Sequence, residues 1–378
     1  MRNLLFISFV LATYSLQALN RIENVVITPK ANVALDSYTL VNTVSTGERP
    51  YSITYSHNGR FAAVPNSIGN SVSVYLVDCD TQAFSHIQTV RTGNSPLSVA
   101  YSPSDEFAAV ANSDTNLPNS SITVYKVDSK TGIWSHIQTI RNATNPEVLG
   151  PTTIKYSPNG RFVAVANQGG LGNVSLYRVH PITGTLTHAF TTTFTGIEGP
   201  SVLDFSPDGN FLSVTLIFAS QLITYEVDQI TGDLTQVGAA VATGASPWGI
   251  TYQHDGNFAA VANNGDNNVS VYRVNKVTGA FTPIAGSPFA TGLFPYYISF
   301  SEDDLVAAVG NSGSAPNSGS VTLYCVNPST GSWTLFATIP NLEGSRGVDF
   351  APCSDYLGVS FFTGNEASVY KIDKSPCQ

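Results

Sequence analysis

Short runs in which apolar and polar residues alternate recur along the chain, as in SVSVYLV (71–77) and NVSVYRV (268–274). Their β-branched and aromatic content suits pleated strands. They belong to a larger repeat anchored by an aromatic, a turn and a second apolar run: YSHNGRFAAV at Tyr55, YSPSDEFAAV at Tyr101, YSPNGRFVAV at Tyr156, FSPDGNFLSV at Phe205, YQHDGNFAAV at Tyr252, FSEDDLVAAV at Phe300 and FAPCSDYLGV at Phe350. The anchors are 46, 55, 49, 47, 48 and 50 residues apart, room for four short strands and their turns. In each unit a strand such as PYSITYS ends in a Ser-Pro-Asn-Gly type turn. A second strand, a loop, the alternating third strand, a TG turn and a fourth strand such as FSHIQTV follow.

The seventh copy supplies only three of these strands. SYTLVNTVSTG (37–47) aligns with AFSHIQTVRTG (83–93), the fourth strand of the first copy, with Asn42 opposite Gln88. Residues 38–44 therefore complete the last unit. The expected fold is all-β, a seven-bladed β-propeller with four antiparallel strands per blade, closed by an N-terminal strand. It forms one domain over residues 38–378, preceded by a lead-in over 21–37.

The order TGxxP, YSPNGRF, VAN, NVSVYxVD, TG resembles the YVTN-type and lactonase-type seven-bladed propellers, the group of 6-phosphogluconolactonase-like proteins and carboxymuconate-lactonizing enzymes. The resemblance covers residues 38–373. It implies lactone hydrolysis by His, Arg and Glu at one channel mouth, in motifs like HPH and PRH. Neither motif occurs here, and Arg346 in GSRGV is the one plausible counterpart.

Composition adds location and exclusions. MRNLLFISFVLATYSLQALN has the basic, apolar and small-residue order of a secretory signal, so residues 1–20 are expected to be removed and the mature protein to be secreted, periplasmic or at the cell surface, with no membrane span. Only 11% of residues are charged, against about 25% in a typical soluble domain. A net charge of -9 opposes nucleic-acid binding. Cys353 and Cys377 both fall on the face away from the blade-to-blade connections, where they could pair. Asn119, Asn142, Asn173 and Asn268 sit in glycosylation sequons.

Candidate chemistry gathers on the blade-to-blade connections. Glu48, Arg49, Arg91, Glu147, Trp248 and Tyr296 are the expected ligand-binding residues; Glu198, Glu343 and Arg346 are the catalytic set if the chain is a hydrolase. Just before the anchor aromatics stand Thr54, Ala100, Lys155, Asp204, Thr251, Ser299 and Asp349, and Lys155 with Asp204 is expected to form an ion pair in the channel. Asn66, Asn112, Asn167, Asn263 and Asn311 close second strands and read as structural. The six histidines lie away from the connections, there is no CxxC or HExxH, and no cofactor or metal is expected. Two functions remain: an exported binding protein that offers its loop face to a protein or glycan, favoured by polar loops such as NSDTNLPNS (112–120), and a lactonase-like hydrolase.

Overall fold

The computed structural model describes residues 37–378 apart from Thr115, Thr195, Ile197 and Cys353. The expected signal segment over 1–20, and the lead-in up to residue 36, lie outside the described residues. Seven antiparallel sheets follow the seven anchors. The inner strand of each sheet packs beside that of the next, and the seventh beside the first, which closes the ring.

Burial follows from position in a blade. Second strands such as Phe61–Asn66 and Phe258–Asn263 are buried at every residue, because both faces meet neighbouring blades. Outer strands such as Phe84–Arg91 are mixed, with one edge in solvent. Small residues let the inner strands crowd: a Cβ on Gly249 would collide with the Tyr296 carbonyl oxygen. In blades 4 and 5 the outer strand is broken, into Leu234–Gln236 with Val241–Ala242 and Phe281–Pro283 with Phe289–Ala290. Gly238 and Gly286, at φ 60° and 86°, occupy the two gaps, and Pro283 and Pro288 remove ladder donors.

The last blade closes as expected. Tyr38–Ser45 pairs antiparallel with Glu366–Ile372, from Tyr38 opposite Ile372 to Ser45 opposite Glu366. Asn42 also clasps the next blade, donating to the Phe84 carbonyl at 3.0 Å and accepting from the Phe84 amide at 3.2 Å. Gln88 does the same to Trp134, and Gln138 to Leu186. The carboxamide that aligns in sequence is therefore a repeated blade-to-blade fastener.

One pairing differs from expectation. Cys377 is bonded to Cys325 on the third strand of blade 6, with Cα atoms 5.0 Å apart. Cys353 lies outside the described residues. The short 3-10 turn Ser375–Cys377 packs on that blade 6 strand, which carries the tail across the seam. Closing 52 residues between the two cysteines is worth about 4 kcal/mol in the chain-entropy account.

Candidate functional site: the two mouths of the channel

Here the upper mouth means the end carrying the blade-to-blade connections and the second-to-third-strand loops; the lower mouth carries the turns that follow the inner strands. At the upper mouth, inner strands of blades 2–7 begin with a register shift against their partners. Such bulges re-aim the next side chains. In three consecutive blades those residues are Trp248, Tyr296 and Arg346, and Tyr51 stands at the matching place in blade 1. They meet as one cluster. The Arg346 guanidinium carbon lies 3.5 Å from the Phe362 ring centroid, 4.3 Å from that of Tyr296 and 5.0 Å from that of Tyr51; Trp248 packs edge-on to Tyr296 at 5.1 Å.

This cation is held by ring faces, and its buried Nε has no hydrogen-bond partner. Burial pushes the phenol of neighbouring Tyr297 up to about 12 and also raises that of Tyr51 well above its ordinary value, so both stay protonated near neutrality. They are donors there, not bases.

The structure sorts the residues expected at this mouth. Arg49 joins the cluster, its guanidinium 5.2 Å from the Phe362 ring and its amide bonded to Asn365 Oδ1 at 2.9 Å. Glu48 is exposed beside it. Glu343 shares the Arg346 junction: its carbonyl accepts from Thr363 and its carboxylate folds over Gly364. Glu198 belongs to the connection from blade 3 to blade 4, where it acts on the buried Tyr225. Glu147 accepts from the Tyr177 hydroxyl at 3.4 Å, in a seam between blades. Arg91 ends an outer strand, and its carbonyl receives the Tyr125 hydroxyl at 2.6 Å. Arg49, Trp248, Tyr296, Glu343 and Arg346 thus share one neighbourhood. No hydrogen bond or ion pair among the described residues links Glu147, Glu198 or Arg91 to it.

The five strand-closing asparagines are fully buried and structural, as expected. Asn66, for example, accepts from the Gly47 amide and donates to Ser71 and Ser73. Of the sequons, Asn173 is buried and Asn119 exposed.

The cavity lies at the other end. A pocket of about 540 Å³ is lined by the last residues of all seven inner strands and the turns after them. Lys155 Nζ stands 3.7 Å from Asp204 Oδ1, the expected ion pair. Asp349 accepts from the Tyr55 amide at 2.9 Å and from the Ser299 hydroxyl at 3.3 Å. Burial raises both carboxyls above the ordinary aspartate value, with Lys155 opposing the rise.

His57 and His254 stand on the rim. Asp304 binds the amides of His254 and Asp255 at 3.0 Å each and the His254 ring at 2.9 Å, and this hydrogen bond to the ring raises the imidazole's pKa. Asp105 grips the amides of His57 and Asn58 at 2.8 Å each. In four other blades a Pro at the histidine's place packs against a Gly in the next blade, as Pro103 does near Gly160 and Pro207 near Gly256, while blade 6 has Glu302 there. The turns thus follow a rule that reading each histidine singly misses: Pro is answered by Gly, and His by Asp, one blade on. That pairing was visible in the aligned copies.

Known proteins place this chain. It matches the model of a family described as Lactonase, 7-bladed beta-propeller, over residues 14–147, 116–193 and 187–292. No curated protein sequence matches. Among solved structures, a Bacteroides uniformis protein provisionally named a 6-phosphogluconolactonase aligns with a TM-score of 0.72 and 17% identity, over 86% of this chain and 93% of that one. The Pseudomonas aeruginosa periplasmic gluconolactonase aligns at 0.67 and 21%, over 77% and 85%. The β-propeller domain of Myceliophteria thermophila Cps50 aligns at 0.66 and 12%, over 89% and 100%; at such identities the likeness is one of fold.

Proposed function

The chain belongs to the seven-bladed β-propeller lactonase family, and from that premise we propose that it opens a small cyclic ester of the sugar-acid class at the upper mouth. The observation that carries this is Arg346, a cation stacked among aromatic rings with a buried Nε left without a partner. A carbonyl oxygen becoming an oxyanion would complete its coordination. Trp248 and Tyr296 offer faces against which the C–H face of a sugar ring stacks.

Water adds to the lactone carbonyl while Glu343, the carboxylate on the same blade-to-blade connection, takes its proton. Collapse breaks the ring C–O bond, and the proton passes to the departing hydroxyl. Glu198, at a different connection, has no part in this step. The fold neighbours include one protein named a gluconolactonase, which agrees with this substrate class. The reading as a binding protein for a protein or glycan rests on the polar loops alone.

The test is hydrolysis of glucono-δ-lactone by the purified protein, followed by acid release above the spontaneous rate and compared with Arg346→Ala and Glu343→Gln. Turnover lost in both variants supports the proposal; turnover absent in the parent, or unaffected by either change, refutes it. Export through cleavage near residue 20 belongs to the same proposal, and the N-terminal sequence of the mature protein tests it.

A further inference from the structure

The lower mouth carries a second set of groups that lactone opening at Arg346 does not use. Five of the seven turns there hold themselves together through one serine: Ser56 accepts from the Phe61 amide at 3.0 Å, and Ser102, Ser157, Ser206 and Ser301 do the same in their blades. Blade 5 has Gln253 instead. It is 1% exposed, lines the cavity, and neither its carboxamide oxygen nor its nitrogen has a hydrogen-bond partner. A buried amide left unsatisfied keeps its full desolvation penalty. Its turn gains nothing in exchange, because the serine bond is absent. A local rule broken without structural return marks a place where a ligand completes the bonding.

The surroundings define that ligand. Lys155 pairs with Asp204 and its charge reaches Asp349, two carboxyls that burial disposes to keep their protons, so the inner ring carries at most one net negative charge and favours neither a strong anion nor a strong cation. What remains are directional groups: carboxylate oxygens that accept, an ammonium that donates, and the Thr54 and Thr251 hydroxyls that do both. We propose that the lower mouth is a binding site for a neutral, polyhydroxylated ligand of saccharide size, oriented by Gln253, Lys155, Asp204 and Asp349. A cavity of about 540 Å³ falls within the usual range for small-molecule sites. The site is separate from the upper mouth and stands whether or not the chain is a hydrolase.

Calorimetric titration of the purified protein with glucose, maltose, gluconate and glucosamine tests this. A neutral saccharide should bind saturably at one site per chain and more tightly than gluconate or glucosamine. Gln253→Ser restores the turn residue of five other blades, so it should fold at least as well as the parent yet weaken binding roughly five- to tenfold. Asp204→Asn should weaken it about tenfold, and Arg346→Ala should leave it unchanged. The proposal falls if neither neutral sugar saturates, if a charged probe binds tighter, if Gln253→Ser binds as the parent does, or if Arg346→Ala removes binding.

Discussion

The two ends of one channel are built from the same seven inner strands and have opposite chemistry. At the upper end, residues re-aimed by bulges converge as aromatic faces around the Arg346 guanidinium, with Arg49 at the edge. At the lower end, three residues further along those strands, charged and hydroxyl side chains ring an open cavity. A radial repeat allows this because successive positions on an inner strand are rings of seven, each with its own composition. Function can then differ between rings without disturbing the packing between blades.

The largest expected effect separates the ends by activity. Arg346→Ala should lower lactone turnover about 100- to 1,000-fold, the usual range for loss of one oxyanion donor. Lys155→Met, at the other end, should leave turnover near the parental rate. Equal losses in both variants would mean that one continuous site spans the channel. The next effect concerns how tightly the upper end is assembled. Gly249→Val drives a side chain into the Tyr296 carbonyl, against backbone that cannot yield, and should cost about 2–3 kcal/mol in urea unfolding. A cost near zero would show that the inner strands are free to separate there.

Much of this was legible in the chain. The seven anchors, the strand borrowed by the last blade and the Lys155–Asp204 pair all follow from alternation and from aligning the copies, because each repeat imposes the same register on its residues. The site was less so. Arg91 and Glu147 read as mouth charges, yet one ends an outer strand and the other meets Tyr177 in a seam, since distance from the channel axis depends on blade geometry and not on loop membership. The Cys325–Cys377 bond was missed for a related reason: the tail leaves its own blade, and pairing within one copy cannot foresee a crossing to the next.

At the lower rim a smaller change sharpens the division between carboxylates that hold turns and those that face the cavity. Asp304→Gly suits the positive φ of 56° at that position but gives up the bonds to the His254 and Asp255 amides, at a cost of about 1–2 kcal/mol. Adding His254→Pro removes one orphaned donor and recreates the Pro–Gly contact of other blades, so the double variant should recover most of the loss. Without recovery, the His–Asp pair would have a role beyond fastening the turn.

The smallest effect is a pH dependence of opposite sign for two groups of aspartates. Asp349 is raised by burial, so the folded protein holds its proton more tightly than the unfolded chain does. Its stabilising contribution is complete below the unfolded value of about 4 and is lost as pH rises through the raised folded value. Asp78, Asp128 and Asp228, in the turns before the outer strands, are lowered first by the backbone amides of Thr81, Thr131 and Thr231. Theirs is present above the unfolded value and is lost as pH falls. Asp349→Asn removes the first behaviour alone, so urea unfolding should find the variant gaining on the parent between pH 4.5 and pH 8. A gap that is constant or shrinks with pH would place Asp349 among the turn-holding carboxylates, fully ionised near neutrality, so that Lys155 would face two charged aspartates and the near-balance of charge argued for that cavity would not hold.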